Sequence, residues 1–395
     1  MINLLPVSVL KVMEPVILYV LAVGLVFFGL FLQKRKRKFL LVSIWALLGK
    51  SFWEIHHLLW IPGLGFQFGM LDIITVFCAP LVLNSLEKPL VFYERDTWTG
   101  SLWTAYKLCN NPRMLPVNLP GANKGSIKTN RNRLFFMGSR TFKVAVLFGS
   151  KAALKVAMEV VFGRLLIVEI SPSREPMIRR LISGQLTSRD LLLRIFTTVY
   201  WLIETVAQLE LGHLLLAIVF VVLLRFDLPE EWPPLFSHPR EAYTLRRFWG
   251  RFWHRLLSPS VATWGRVFAD KTLRSRDQTT AKNLVVAFFV FTVSGLAHTA
   301  VNWRLGESAL YRDLLYFWIT FFAISFEVVV MKLWVRFSSK YSLQLVGAGV
   351  GRTEVFRRVL GFVWVFGFFI WLTPKLVYAK TYQSMILKAT LNTRL

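Results

Sequence analysis

Acids and cysteines are scarce in this 395-residue chain. It holds 22 Asp and Glu against 48 Lys and Arg, a formal net charge of +26. Charged residues make up 18%, below the roughly 25% of a soluble domain. Two cysteines, Cys78 and Cys109, permit at most one disulfide and exclude a cysteine-rich metal site or a disulfide scaffold. Six scattered histidines exclude the clustered boxes of membrane di-iron enzymes. No two aspartates stand at the spacing of a Mg²⁺-binding motif. There is no G-x-x-x-x-G-K-[ST] phosphate loop, and Gly63-Leu-Gly65-Phe-Gln-Phe-Gly69 has the wrong spacing for a dinucleotide fingerprint. No aspartate follows His56-His57 at the third position, as it does in soluble ester-forming transferases. Internal repeats and N-glycosylation sequons are missing too. No metal site is therefore expected.

What the chain has in excess is apolar surface. Apolar residues make up 55% and aromatics 15%; the mean hydropathy is +0.50 at a pI of 10.5. A nucleic-acid binder could carry this charge, but not together with long uncharged apolar runs. The combination fits a polytopic membrane protein with basic loops. About 20 apolar residues in a helix cross a bilayer core. The stretches that qualify are Pro15–Gln33, Phe39–Pro62, Phe66–Leu83, Leu211–Leu224 (extended back to Ile195, it takes in Glu204 and Glu210), Leu284–Val301, Leu314–Met331 and Val359–Thr373. Val144–Ile170 is an eighth, interrupted by Lys151, Lys155 and Arg164, and reads either as a span lining a wet cavity or as an interfacial helix. The expected fold is all-α: about eight transmembrane helices in a single membrane domain, 1–395, with cytoplasmic amphipathic helices.

Basic loops mark the cytoplasmic side. Lys34–Lys38, Lys107–Lys143 and Arg240–Arg276 qualify, with the N-terminus luminal and the first run a retained anchor. The basic segment Ser171–Arg194 breaks this alternation. Within a basic insertion at 240–283, apolar residues fall at Leu245, Phe248, Trp249, Phe252, Trp253, Leu256 and Leu257. That spacing predicts one face of an amphipathic helix, with Arg246, Arg247, Arg251 and Arg255 on the remainder. Such a helix either grips the membrane interface or presents arginine forks to phosphates.

His298 lies fourteen residues into the uncharged run Leu284–Val301, about 21 Å along a helix. An ionisable side chain at that depth faces an interior or a wet cavity, since lipid would not solvate it. An imidazole, with an intrinsic pKa of about 6.5, suits proton transfer near neutrality; a structural hydrogen-bonding role is the alternative. Glu327 is a second intramembrane candidate, either orienting His298 or pairing with a cation. Glu54-Ile-His56-His57 stands near a span end, where polar residues are common.

These residues resemble a known family. Pro234-Leu235-Phe236 followed by Leu245-Arg-Arg-Phe248-Trp249-Gly-Arg251-Phe-Trp253-His254 is similar to the P-L-F … F-W-G-R-x-W-H signature of wax-synthase-like membrane-bound O-acyltransferases. Ser294-Gly-Leu-Ala-His298 resembles their S-G-L-x-H element. Asn111-Pro112-Arg113 resembles their N-P-R-G loop, with Met114 in place of the glycine. The resemblance implies an enzyme that passes an acyl group from acyl-CoA to a hydroxyl, with no bound cofactor. By it, His298 is the catalytic base and His254 a second catalytic residue. Trp249, Arg251, Trp253, Arg247 and Glu327 would bind substrate or CoA. The departures from the plant wax-forming pattern look more like fungal members that acetylate terpenoid or meroterpenoid alcohols. The expectation is therefore acetyl-CoA as donor and a lipophilic alcohol as acceptor, in the endoplasmic reticulum membrane, with no nucleic-acid partner. A wax synthase is the alternative within the family, and a transporter using His298 and Glu327 as a proton relay is the alternative outside it.

Overall fold

The computed structural model describes residues 9–59, 63–86, 88, 90, 98–115, 128–163, 166–273, 279–307, 309–340 and 350–392. Every regular element among them is helical: α1 (Val9–Gly29), α2 (Lys34–Glu54), α3 (Leu64–Asn84), α4 (Trp98–Cys109), α5 (Lys128–Phe162), α6 (Met177–Ile182), α7 (Ser188–Ala217), the short α8 (Leu245–Arg247), α9 (Ser258–Thr272), α10 (Thr279–Arg304), α11 (Tyr311–Lys340) and α12 (Val350–Asn392). The all-α, multi-pass membrane architecture expected from hydropathy is borne out. Six of these helices are long and apolar enough to cross a membrane: α1, α3, α7 with its continuation to Leu223, α10, α11 and α12. The sequence suggested about eight. The two further stretches are helical as well, but α2 carries Lys50 and Glu54, and α5 carries Lys151, Lys155 and Glu159. Arg164 and residues 274–278, which figured in the charge count, lie outside the described residues.

The chain divides into two compact units, which hydropathy did not signal. Unit 1 comprises Met1–Lys124 and Arg255–Phe321; unit 2 comprises Gly125–His254 and Phe322–Leu395.

In unit 1 the α1–α2 hairpin packs on α3 through Ala22, Val26, Leu30, Ile44, Leu48 and Leu83. Arg37, from the basic run after the first apolar stretch, is 1% exposed. It donates to the carbonyls of Leu32 (2.9 Å), Leu83 (2.6 Å) and Leu86 (2.8 Å). A buried guanidinium is tolerated only when hydrogen-bonded in this way, so Arg37 staples the end of α3 rather than marking a loop surface. A second core joins α3, α9 and α10 through Ile74, Leu257, Val261 and Ala297. Trp264 of α9 donates its indole N–H to the Phe77 carbonyl at 3.1 Å.

In unit 2 the charges of α5 are answered by α7. Lys143 lies 2.6 Å from Glu210, Arg140 lies 3.8 Å from the same carboxylate, and Lys151 pairs with Glu204. Lys151 in Val144–Ile170 thus neutralises Glu204 in the extension back from Leu211, and Glu210 is answered by Arg140 and Lys143 just ahead of that stretch. Thr187 and Asp190 form a reciprocal cap at the start of α7. Asp190 also accepts from Arg180 at 2.7 Å and Arg174 at 3.2 Å, while Arg194 donates to the Arg174 and Glu175 carbonyls. Arg174, Arg180, Arg189 and Arg194 of the basic segment Ser171–Arg194 are therefore spent on carboxylates and carbonyls, and Arg179 stays exposed. With most of its charge paired within the protein, the segment is a poor marker of a side of the membrane.

Candidate active site

His298 is placed in unit 1 by ordinary helix packing. Gly295 brings α10 against α11: a β-carbon there would lie 3.1 Å from the Cα of Leu314 and 3.3 Å from the Cβ of Phe317. Trp318 donates to Thr292 at 3.0 Å, and Asn302 donates to the buried Asp313 at 2.7 Å, fixing the two helices in register. Ala297 turns into the α3–α9 core. His298, one position on, is half-buried, with its ring between Phe66 of α3 (5.3 Å between centroids) and Phe317 of α11 (5.0 Å). The imidazole therefore packs against protein rings on α3 and α11.

The F-W-G-R-F-W-H segment in unit 2 is built differently. The regular amphipathic helix expected over Leu245–Leu257 does not form. One short turn, α8, opens with Thr244 accepting from the Arg247 N–H. It widens into a π turn over Phe248–Phe252, and Trp253 is extended at φ −68°, ψ 152°. The helix present within 240–283 is α9, further along the chain. The aromatic spacing is used to build a box. Phe236 of the P-L-F turn meets Phe252, Trp253 and His254 at 5.9, 5.3 and 5.8 Å. Phe248 packs on Trp249, on Trp253 and, at 4.6 Å, on Phe369 of α12. The Ser237 N–H donates to the Phe252 carbonyl at 3.1 Å, tying the two turns together.

Glu327 closes this construction. It is 7% exposed. Its carboxylate accepts from the backbone N–H groups of Leu245 (2.7 Å) and Arg246 (3.1 Å) and from the Trp364 indole (3.0 Å). These are the orphan donors at the start of α8, where an anion is favoured. Glu327, expected to bind substrate or orient His298, clamps the aromatic turn within unit 2. Arg247 is also committed, pairing with Glu241 and lying 4.4 Å over the Tyr243 ring, so its fork is not presented to a phosphate. Arg251 is mostly exposed and holds Glu241 more loosely, at 3.3 Å. Bonding to Arg251, with the Arg247 charge beside it, holds the Glu241 carboxyl below the usual carboxylate range.

The structure thus brings Arg247, Trp249, Arg251, Trp253, His254 and Glu327 together in unit 2, and seats His298 in unit 1. Pattern reading missed Tyr243, Trp364 and Phe369, because their part in the turn depends on contacts across more than a hundred residues of chain in the case of Phe369 and Tyr243. The N-P-R loop offers a signal that was readable. Asn111 and Leu115 bond reciprocally at 2.7 and 2.9 Å, and Met114 takes a left-handed φ of 50°. That conformation favours glycine, the residue the resembling loops have there.

Glu54, His56 and His57 bring three donor atoms within 4.8 Å of one another. They do not fit a cation. Lys50 donates to Glu54, His57 lies 3.2 Å from the same carboxylate, and the Arg304 guanidinium faces His56.

Residues 232–324 match the model of the membrane bound O-acyl transferase family. That segment contains the P-L-F turn, the F-W-G-R-F-W-H turn and His298, so the resemblance is borne out on those elements, while the N-P-R loop lies outside it. The chain is also similar to three fungal proteins. It is 27% identical over 177 residues to the acetyltransferase spyB of Aspergillus fumigatus (44% of this chain, 30% of that protein). It is 28% identical over 194 residues to the acetyltransferase ple2 of Rhodocybe pseudopiperita (48% and 47%), and 32% identical over 161 residues to the acetyltransferase nanB of Aspergillus nanangensis (40% and 37%). The matched stretch spans 30–47% of the length of these relatives. No solved structure matches the chain significantly.

Proposed function

We propose that this protein is an acyl-CoA-dependent O-acetyltransferase that transfers acetyl from acetyl-CoA to a hydroxyl of a terpenoid or meroterpenoid alcohol, in the endoplasmic reticulum membrane. The observation that carries the reading is the half-buried imidazole of His298, held between Phe66 and Phe317 inside the family-matched segment. In the proposed step His298 takes the hydroxyl proton as the oxygen attacks the thioester carbonyl. The tetrahedral intermediate then collapses, the C–S bond breaks, and the proton passes to the departing CoA sulfur. The products are an acetate ester and free CoA. A positioned base of this kind contributes roughly 10²–10⁴-fold, or about 3–5 kcal/mol of barrier. Aromatic walls serve the reaction by keeping out water, which would otherwise hydrolyse the thioester.

Donor binding is assigned to the aromatic turn, with His254 and Trp249 lining the entry. Arg246 and Arg251 are the exposed arginines of the turn, and Arg251, inside the F-W-G-R-F-W-H segment, is taken as the fork that meets phosphate. The names of the fungal relatives favour acetyl over longer acyl groups. The test uses microsomes containing the full chain, supplied with radiolabelled acetyl-CoA or palmitoyl-CoA and a panel of polycyclic and linear alcohols. Labelled acetate esters of polycyclic alcohols are expected, and His298→Ala should abolish them while the protein persists in the membrane. Full activity of that variant would remove His298 as base, and palmitoyl esters of linear alcohols would make the protein a wax synthase. Arg251→Ala should raise the KM for acetyl-CoA and leave that of the alcohol unchanged.

A further inference from the structure

Unit 2 contains a cavity of about 460 Å³ that the reaction scheme above does not use. Three helices wall it. On α5 the lining residues Lys155, Met158, Glu159 and Phe162 fall on one face, and on α7 Leu193, Thr197, Tyr200, Trp201 and Glu204 do the same. Val377, Tyr378 and Thr381 complete it from α12. The floor is the buried cluster Phe162, Ile170, Leu193 and Tyr378. We propose that this cavity holds the hydrocarbon skeleton of the acceptor alcohol. Naming the occupant as the acceptor rests on the acyl-transfer reading; the binding of an apolar alcohol does not.

Size, charge and position support this occupant. Cavities that hold drug-sized ligands span about 300–1,000 Å³, and a two-carbon acetyl group would leave most of this one empty. Coenzyme A carries several phosphate charges and needs cations. The lining offers one lysine against two carboxylates, and Glu204 is already paired with Lys151 and accepts from Gln208 at 3.2 Å. An anionic donor is therefore disfavoured here, whereas an uncharged body is accepted. Flat walls come from Tyr200, Trp201 and Tyr378, which suit the unsaturated, methyl-branched skeleton of a terpenoid. Hydroxyls on Thr197, Tyr200 and Thr381 give a lone alcohol oxygen something to bond. One wall of the cavity touches the aromatic box: Trp201 stacks on Trp253 at 6.1 Å and 12°, and Trp253 belongs to the family-matched segment.

The experiment is photolabelling of the purified full chain with a diazirine-bearing farnesol, an uncharged terpenoid alcohol. Label is expected on the α5 and α7 peptides that contain Met158 and Trp201, displaced by excess farnesol. Thr197→Trp, which fills the cavity, should cut that label at least about tenfold, and Thr197→Ser should retain it. Should Thr197→Trp fail to fold, Met158→Trp fills the same space from α5. Label that is insensitive to both fillings, or that is displaced by phospholipid but not by farnesol, overturns the proposal; the second result would make the cavity a lipid site. In acetyl transfer, the filled variant should raise the KM for the alcohol and leave that for acetyl-CoA alone, and the reverse split also overturns it. A chain that transfers acetyl but takes no label in the cavity defeats this inference only. A chain that labels as expected but transfers no acetyl from any donor defeats the enzymatic reading only.

Discussion

His298 and the aromatic turn carry the same family resemblance, but they are held by different physics. Around His298 the backbone is a regular helix, and its register follows from small residues: Gly295 lets α11 approach, and Ala297 fills the α3–α9 core. Around Trp253 the backbone leaves the helix, and its shape depends on distant side chains, with Glu327 holding the start of the turn and Phe236 and Phe369 packing the box. Backbone hydrogen bonds within a helix make the first arrangement tolerant of change at any one side chain. In the second, single side chains satisfy backbone groups that would otherwise be orphaned, so it should be brittle.

The largest effect should come from the clamp. Glu327→Ala strips three donors of their acceptor, at about 1–3 kcal/mol for each buried group left unpaired, so a loss of about 3–5 kcal/mol is expected. Chemical denaturation in detergent measures it, and Glu327→Gln should fall between the alanine variant and the parent; equal stability of all three would show that the clamp is dispensable. Next comes a matched pair of glycines. A β-carbon at Gly361 would collide with the Tyr243 carbonyl oxygen, which belongs to the backbone leading into the turn. At Gly295 the nearest atom, 2.9 Å away, is the mobile end of the Leu314 side chain. Gly361→Ala should therefore cost about 3 kcal/mol or more, and Gly295→Ala about 1–2 kcal/mol. The reverse order, read from thermal melts, would mean that the helix interface and not the turn is the rigid element.

Smaller still is Met114→Gly. Relief of the left-handed conformation gains about 1–2 kcal/mol, but glycine costs part of that in unfolded-state entropy, so the net should be a slight stabilisation. A clear loss would show that the Met114 side chain itself matters. Least of all is the pair of arginines on Glu241. Its carboxyl is held below the ordinary value of 4.5, so the pair contributes stability above that pH and loses it as pH falls through the lowered folded value. The melting difference between the parent and Glu241→Gln should be small at neutral pH and vanish in acid, which melts across a pH series would show; a difference that grows on acidification would reverse the sign.

Much of unit 1 was legible in the sequence because hydropathy and helical register are local. An uncharged run fixes a helix, and fourteen residues fix how deep His298 lies in it. Three misreadings share one cause. Arg37, Arg180 with Arg194, and Arg247 were counted as exposed basic charge, yet each is spent on a carbonyl or a carboxylate brought in from elsewhere. For the same reason nothing local shows that the partners of Glu327 lie at Leu245, Arg246 and Trp364. The seven apolar positions of Leu245–Leu257 match a helical face, but the same spacing serves equally well to pack Phe248, Phe252 and Trp253 around Phe236.

Composition and periodicity alone determined that this protein is helical, that it is built for a bilayer, and that an imidazole lies deep in one of its spans. Apolar burial and backbone hydrogen bonding act over a few turns of chain, so they can be read in one dimension. Tertiary structure alone decided which charges pair, where the helix yields to a turn, and that α5, α7 and α12 leave a chamber between them. Those outcomes depend on residues that are adjacent in space and remote in the chain, and no local pattern encodes such a distance.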